Sequence, residues 1–266
     1  MVFRPLSGGK QVKRGPIVLL TDFGLKDHYV GVMKGVIADL APEARVIDLL
    51  HEVPPQDVFA GAFHLWTSYR YFPAGSIFVA VVDPGVGTKR RGLLLEAHDR
   101  FFIGPDNGLF TLVLDETEDF RAFSLENSRF FLPKVSHTFH GRDVFAPCAA
   151  HLFRGEDPEE FGPPVRDPVR LPVPPLREEP QRLIGTVIHV DRFGNLITNI
   201  PAARLPRPPK AVIFRGERIP FRRTYGEAPP GTPLALVDSD GLLEIAVSGG
   251  SAYERFGREG EVVVEF

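Results

Sequence analysis

The stretch Ser76-Ile77-Phe78-Val79-Ala80-Val81-Val82-Asp83-Pro84-Gly85-Val86-Gly87-Thr88-Lys89-Arg90 decides the fold. Its first seven residues are apolar apart from Ser76, without alternation, as in a strand buried on both faces. The run ends in a carboxylate, a proline, two glycines and two cations. Proline fixes its own φ and glycine lets backbones approach closely, so this is a shaped turn. Asp83 then stands at the carboxyl end of a buried strand, with Arg90 able to fold back on it. In open α/β sheets that edge is where ligands bind. An ordinary turn with a surface ion pair is the bland reading of the same residues.

The pattern recurs along the chain. Residues 16–20 lead to Thr21-Asp22-Phe23-Gly24 and then Asp27-His28-Tyr29. Phe102-Ile103 leads to Gly104-Pro105-Asp106-Asn107-Gly108, and residues 187–190 lead to Asp191-Arg192-Phe193-Gly194-Asn195. Thr138-Phe139-His140-Gly141-Arg142-Asp143 precedes a helical stretch. Four of these five segments place Asp and Gly after an apolar run, and the fifth places His and Gly before a helix.

Strand-like runs at 17–20, 46–50, 76–82 and 92–97 alternate with helical spacing at 27–40, 58–71 and 142–153. Gly155 is placed to end the last helix. This predicts an α/β sheet covered by helices on both faces, over residues 1–165. Prolines crowd residues 163–180, and 166–182 is expected as an extended linker. Residues 183–266 carry short strand signals at 184–190, 196–200, 211–214, 234–237, 242–247 and 262–266. They predict a smaller antiparallel, barrel-like β-domain.

Composition narrows the function. The chain has 266 residues, 43% of them hydrophobic, enough for a real core. A net charge of −3 gives no reason to expect nucleic acid or an anionic membrane as partner. Its single cysteine, Cys148, rules out an internal disulfide and, lying in an apolar helical stretch, is expected to be inert. Residues 1–15 show no leader-type apolar core, and no apolar run reaches membrane-spanning length, so a soluble cytoplasmic protein is expected. The sequence has no HExxH, no Cys-x-x-Cys and no P-loop, so no metal is expected.

Together the five segments resemble the S-adenosylmethionine hydroxide adenosyltransferases, relatives of the fluorinases and chlorinases, over nearly the whole chain. The resemblance implies hydrolysis of S-adenosyl-L-methionine (SAM) to adenosine and L-methionine, with hydroxide attacking C5′. SAM is then substrate, with no cofactor, and the assembly a homotrimer with pockets at subunit interfaces. Asp83, Arg90 and His140 match the triad that positions and activates water. Asp22 matches the ribose-diol ligand, Asp27 the ligand of the methionine ammonium, and Asp191 a group near the methionine end. Phe193 and Asn195 match adenine contacts. Ser239, Ser248 and Gly249 fall in loops matching those that hold the methionine carboxylate and adenine. Phe23, Asp106 and Asn107 complete the expected substrate set.

Elementary chemistry divides the triad. An arginine beside Asp83 favours its anion and makes it a poor base, so Asp83 orients. Arg90 stabilises hydroxide-like charge. His140 is the better proton acceptor, directly or through water. For each aspartate, a turn-forming role is the bland alternative. Three other functions stay open on residues alone. A halogenase of the same superfamily carries tyrosine where this chain has Asp83. A methyltransferase needs a glycine-rich first turn that Thr21-Asp22-Phe23-Gly24 is not. A nucleoside or SAM sensor would bind without turnover.

Overall fold

The structure, a computed structural model, describes residues 15–266. The expected lack of a leader in the first residues therefore falls almost wholly outside the described residues. The chain divides after Leu171 into two compact units.

The first unit holds β1 (Ile17–Thr21), α1 (Tyr29–Leu40), β2 (Val46–Leu50), α2 (Val58–Ser68), β3 (Ile77–Val81), β4 (Gly92–Ala97), β5 (Arg100–Pro105), α3 (Thr111–Leu114), β6 (Phe120–Ser124) and α4 (Ala146–Arg154). The sheet order is β2-β1-β3-β5-β4-β6. The first four strands run parallel, while β4 is antiparallel to both β5 and β6. β1 and β3 are buried along their whole length, which is why their sequences read as unbroken apolar runs. Ile17, Leu19, Ile77, Val79 and Val81 pack with Met33 and Ile37 of α1 and Cys148 and Ala149 of α4. Phe78 points the other way and stacks on Phe102, whose ring meets Tyr69 just after α2. Helices thus cover both faces, as the alternation of runs predicts.

This strand order sets the site. From β1 the chain crosses to β2 on one side, then through α2 to β3 on the other side of β1. The reversal opens a crevice at the carboxyl ends of β1 and β3, where Thr21 pairs in register with Val81. Asp22 and Asp83 are the residues that emerge there.

One helix differs from expectation. Residues 142–153 predict a continuous α-helix, but Gly141–Phe145 forms a π-helical turn that runs into α4. Pro147, in the first turn of α4, has no N–H for the Asp143 carbonyl. That carbonyl instead accepts the Leu132 N–H at 2.9 Å, which ties down the approach to His140. Gly155 ends α4 in the left-handed conformation, φ 102°, as predicted.

The proline-rich segment is not free along its length. Val169 N–H donates to Asp106 Oδ1 and Leu171 N–H to Thr111 Oγ1, each at 2.8 Å. Further on, proline-free Arg177–Glu179 forms a short strand, β7.

The second unit continues with β8 (Arg182–Val190), β9 (Leu196–Pro201), β10 (Ala211–Phe214), β11 (Glu217–Ile219), β12 (Pro233–Val237), β13 (Leu242–Val247), α5 (Ala252–Phe256) and β14 (Glu261–Glu265). All its strand pairs are antiparallel, in the order β11-β10-β14-β8-β9-β13-β12, with β7 also on β8. The two ends of the sheet approach where Phe221 bridges Ala235, so the sheet is a nearly closed barrel. Leu196, Ile200, Val212, Phe214, Leu243 and Val264 fill it. The short strands β7 and β11 carried no readable signal because three residues are too few for alternation to show.

Among the described residues no helix is long and apolar enough to cross a membrane.

Candidate active site

A cavity of about 330 Å³ opens in the first unit at the crevice between β1 and β3. Asp22, Phe23, Gln56, Asp83, Phe139 and His140 line it. Each comes from a segment whose turn chemistry delivers it. Asp83 follows the last residues of β3, and Gly87 brings its turn back with φ 76°. A side chain at Gly87 would run into the His137 carbonyl. Glycine there is what lets this turn lie against the loop carrying His140.

Asp83 and Arg90 form a close ion pair, with side chains only 5% and 12% exposed. Arg90 Nε lies 3.0 and 3.1 Å from the two carboxylate oxygens, and Nη2 also donates to Oδ2. The same Nη2 donates to His140 Nδ1 at 2.8 Å, and the guanidinium sits 5.3 Å from the Phe145 ring centre. Arginine has no acceptor, so His140 Nδ1 accepts. The neutral ring then carries its proton on Nε2. Burial, and next the Arg90 charge, hold His140 below its ordinary range, while Asp83 and Asp143 pull the other way. The atom on which His140 would take a proton is thus already engaged, and burial opposes the charge.

The loop before His140 is fixed by Asp143, which is fully buried. Its carboxylate accepts from Ser136 N at 2.7 Å and from Arg142 Nε at 2.6 Å.

Asp22 Oδ2 accepts the Gln56 N–H at 2.8 Å. Gln56 holds φ at 66°, a left-handed conformation uncommon outside glycine and the short polar residues. Sequence reading missed it, since Pro54-Pro55-Gln56-Asp57 announces a turn but not which residue is strained. Phe23 packs edge-on against Phe139. Asp27 is exposed just before α1 and does not line the cavity.

Asp106 and Asn107 also stand apart from the cavity lining. Asp106 accepts from Arg91 Nε and Val169 N, both at 2.8 Å, and Asn107 donates to the Val82 carbonyl at 2.9 Å. These side chains fasten strand ends, the bland role weighed for such residues. Cys148 is buried against apolar neighbours and burial pushes its thiol up, consistent with inertness.

In the second unit, Asp191 builds the turn its sequence suggests. Oδ1 accepts from Phe193 N at 2.9 Å and Asn195 N at 2.8 Å, while Asn195 Nδ2 donates to Oδ2. Asn195 is buried, but Phe193 stands 76% exposed at the tip. Ser239 and Gly249 are exposed and Ser248 is half-buried. Glu244, in the otherwise apolar β13, was not singled out from the sequence. It is 2% exposed and takes the Tyr225 hydroxyl at 2.8 Å. Burial, with Asp191 and Asp238 nearby, pushes its carboxyl up to about 7 against the Tyr225 bond. Asp238 is raised as well, mainly by burial. One acid within an apolar strand is a signal that could have found Glu244. Among the described residues no group of three His, Cys, Asp or Glu side chains is placed to hold a metal.

The chain is similar to known proteins over most of its length. An (R)-S-adenosyl-L-methionine hydrolase of Thermus thermophilus is 48% identical over 253 residues, covering 91% of this chain and 95% of the relative. The crystal structure of an uncharacterized conserved protein from Thermotoga maritima superposes with a TM-score of 0.86 at 35% identity, covering 94% of this chain and all of that one. A fluorinase of an Actinoplanes species is more distant, 27% identical over 86% of this chain and 90% of its own. The family models for the SAM hydroxide adenosyltransferase N-terminal and C-terminal domains match residues 17–162 and 185–265. The chain belongs to the SAM hydroxide adenosyltransferase family.

Proposed function

We propose that this chain hydrolyses S-adenosyl-L-methionine to adenosine and L-methionine by attack of water on C5′. The relative's name specifies the R configuration, and we extend that preference to this chain. The observation that carries the reading is the Asp83–Arg90–His140 arrangement beside Asp22 at the strand-order reversal.

In this reading Asp22 accepts from the ribose diol, and Asp83 and Arg90 hold water in line with the C5′–sulfur bond. The new C5′–O bond forms as the C5′–S bond breaks, and its electron pair leaves on methionine sulfur. Positive charge passes from sulfur to the attacking oxygen, next to the Asp83 carboxylate. Water becomes strongly acidic only as that bond forms, so a weak base suffices, and Asp83 takes the proton on its way to solvent. Neutral His140 fixes Arg90 from the far side. The sulfonium supplies its own leaving group, so the chemistry needs no cofactor. Asp27 takes the methionine ammonium; in the second unit, Asp191 with Asp238 and Glu244 adds negative charge near the methionine end, and Phe193 stacks on adenine. The trimer, the sharing of sites between subunits and the cytoplasmic setting belong to the same proposal. Native mass spectrometry checks the trimer.

A halogenase would bring an anion against the Asp83 carboxylate, which disfavours that alternative. The test is turnover in heavy-oxygen water with each sulfonium epimer separately. Adenosine labelled at the 5′ oxygen, formed faster from the R epimer, is expected. Unlabelled adenosine, or none from either epimer, overturns the hydrolase reading.

A further inference from the structure

A polar chain lies beneath the Asp22 turn that the proposed reaction does not use. His51 follows β2 and is only 4% exposed. Its Nδ1 lies 2.9 Å from Thr21 Oγ1, and Thr21 is fully buried. The same hydroxyl oxygen accepts the Phe23 N–H at 3.2 Å. The His51 carbonyl accepts the Gly24 N–H at 2.7 Å. On the far side, Nε2 lies 3.0 Å from Asp48 Oδ1, close but too poorly directed to make a hydrogen bond. Lys34 Nζ donates to the other Asp48 oxygen at 2.6 Å. One buried residue therefore holds the chain on both sides of Asp22, Thr21 through its ring and Gly24 through its carbonyl.

A buried imidazole costs free energy unless its nitrogens are used, and an apolar residue would fill this space more cheaply. The nearby carboxylate favours the proton on Nε2. Nδ1 is then a bare acceptor, and the Thr21 hydroxyl must donate to it. That leaves the Thr21 lone pairs for Phe23 N–H. Both hydrogen bonds between His51 and Phe23 acquire one direction, which fixes the backbone around Asp22. From above, the Gln56 N–H holds Asp22 Oδ2.

We infer that His51 is a positioning residue, setting the Asp22 carboxylate for a vicinal diol, the ribose of the substrate, before it binds. This rests on the reading of Asp22 as the ribose ligand.

Steady-state kinetics with SAM on single and double variants tests it. His51→Gln and Thr21→Val each lose the Thr21–His51 bond, so KM rises about tenfold with kcat little changed. His51→Asn, whose amide lies near the lost Nδ1, and Thr21→Ser, which keeps the hydroxyl, restore most of it. In an Asp22→Ala background neither loss variant raises KM further, because the residue they position is gone. A full tenfold rise in that background, or kcat falling in step with the rise in KM, overturns the inference. If Asp22→Ala raises KM while His51→Gln and Thr21→Val do not, the positioning role alone is wrong. If Asp22→Ala leaves KM unchanged, the ribose assignment fails and this inference with it. Should His51→Gln not fold, the Thr21→Val and Thr21→Ser pair decides on its own.

Discussion

The two units handle charge in opposite ways. In the first, Asp83, Arg90 and His140 are opposite or neutral partners closed on one another, and the ion pair is nearly buried. In the second, Asp191, Asp238 and Glu244 are like charges, and the last two are held above their ordinary range. A closed pair costs little to reorganise and suits groups that must stand still while atoms react. Acids held near one another are relieved only by a proton or an arriving cation. On the proposed reading, the first unit supplies the chemistry and the ribose ligand, and the second holds the adenine and the methionine end.

The largest test of that contrast is kinetic. Asp83→Asn, Arg90→Ala and His140→Ala are expected to lower kcat by roughly 100- to 10,000-fold with little change in KM. Phe193→Ala and Asn195→Ala should instead raise KM and spare kcat. His140→Asn sharpens the division within the triad, since its amide oxygen can still accept from Arg90. It should stay within about tenfold of wild type if His140 only fixes Arg90. If it is as slow as His140→Ala, the ring carries the proton and Asp83 does not.

A smaller effect is expected on stability. Glu244 titrates near 7 in the folded protein, above the ordinary value of 4.5. The folded state then binds more protons than the unfolded one between these values, so stability falls as pH rises. Below pH 4.5 the penalty is absent, and above 7 it is complete, on the order of 3 kcal/mol. Glu244→Gln keeps an acceptor for Tyr225 but cannot titrate. Its melting temperature should lose this downward slope between pH 5 and 8. An unchanged slope would place the strain elsewhere in the acidic group.

Much of this was legible beforehand because β1 and β3 are buried on both faces, so their apolar runs end sharply at Asp22 and Asp83. The pairing of Asp83 with Arg90 follows from seven residues of turn. Long-range placement was not legible. That Asp106 would accept from Arg91 and Val169 depends on residue 169 returning over β5, which no local pattern records. His51 gave no signal in the sequence, because its partner Thr21 lies thirty residues away on β1. The π-helical turn was hidden for a similar reason, since Pro147 acts through the bond it leaves free for Leu132.

The smallest expected effect is the most specific. Protonating His140 would set a second cation against Arg90 and release Nδ1 from it, so kcat/KM should fall on the acid side. Burial and Arg90 depress this group, which places the limb below the ordinary 6.5. Arg90→Met removes one depressing charge and leaves burial in place, so the titration should move up. Asp83→Asn removes a charge that favours the cation, so the titration should move down. These variants are slow, but histidine NMR resonances follow the ring directly and do not depend on turnover. Opposite shifts from neighbouring substitutions are hard to obtain from a general loosening of the site. Shifts of the same sign would mean that His140 is not coupled to the Asp83–Arg90 pair as the geometry requires, and the first unit would lose the closed character that separates it from the second.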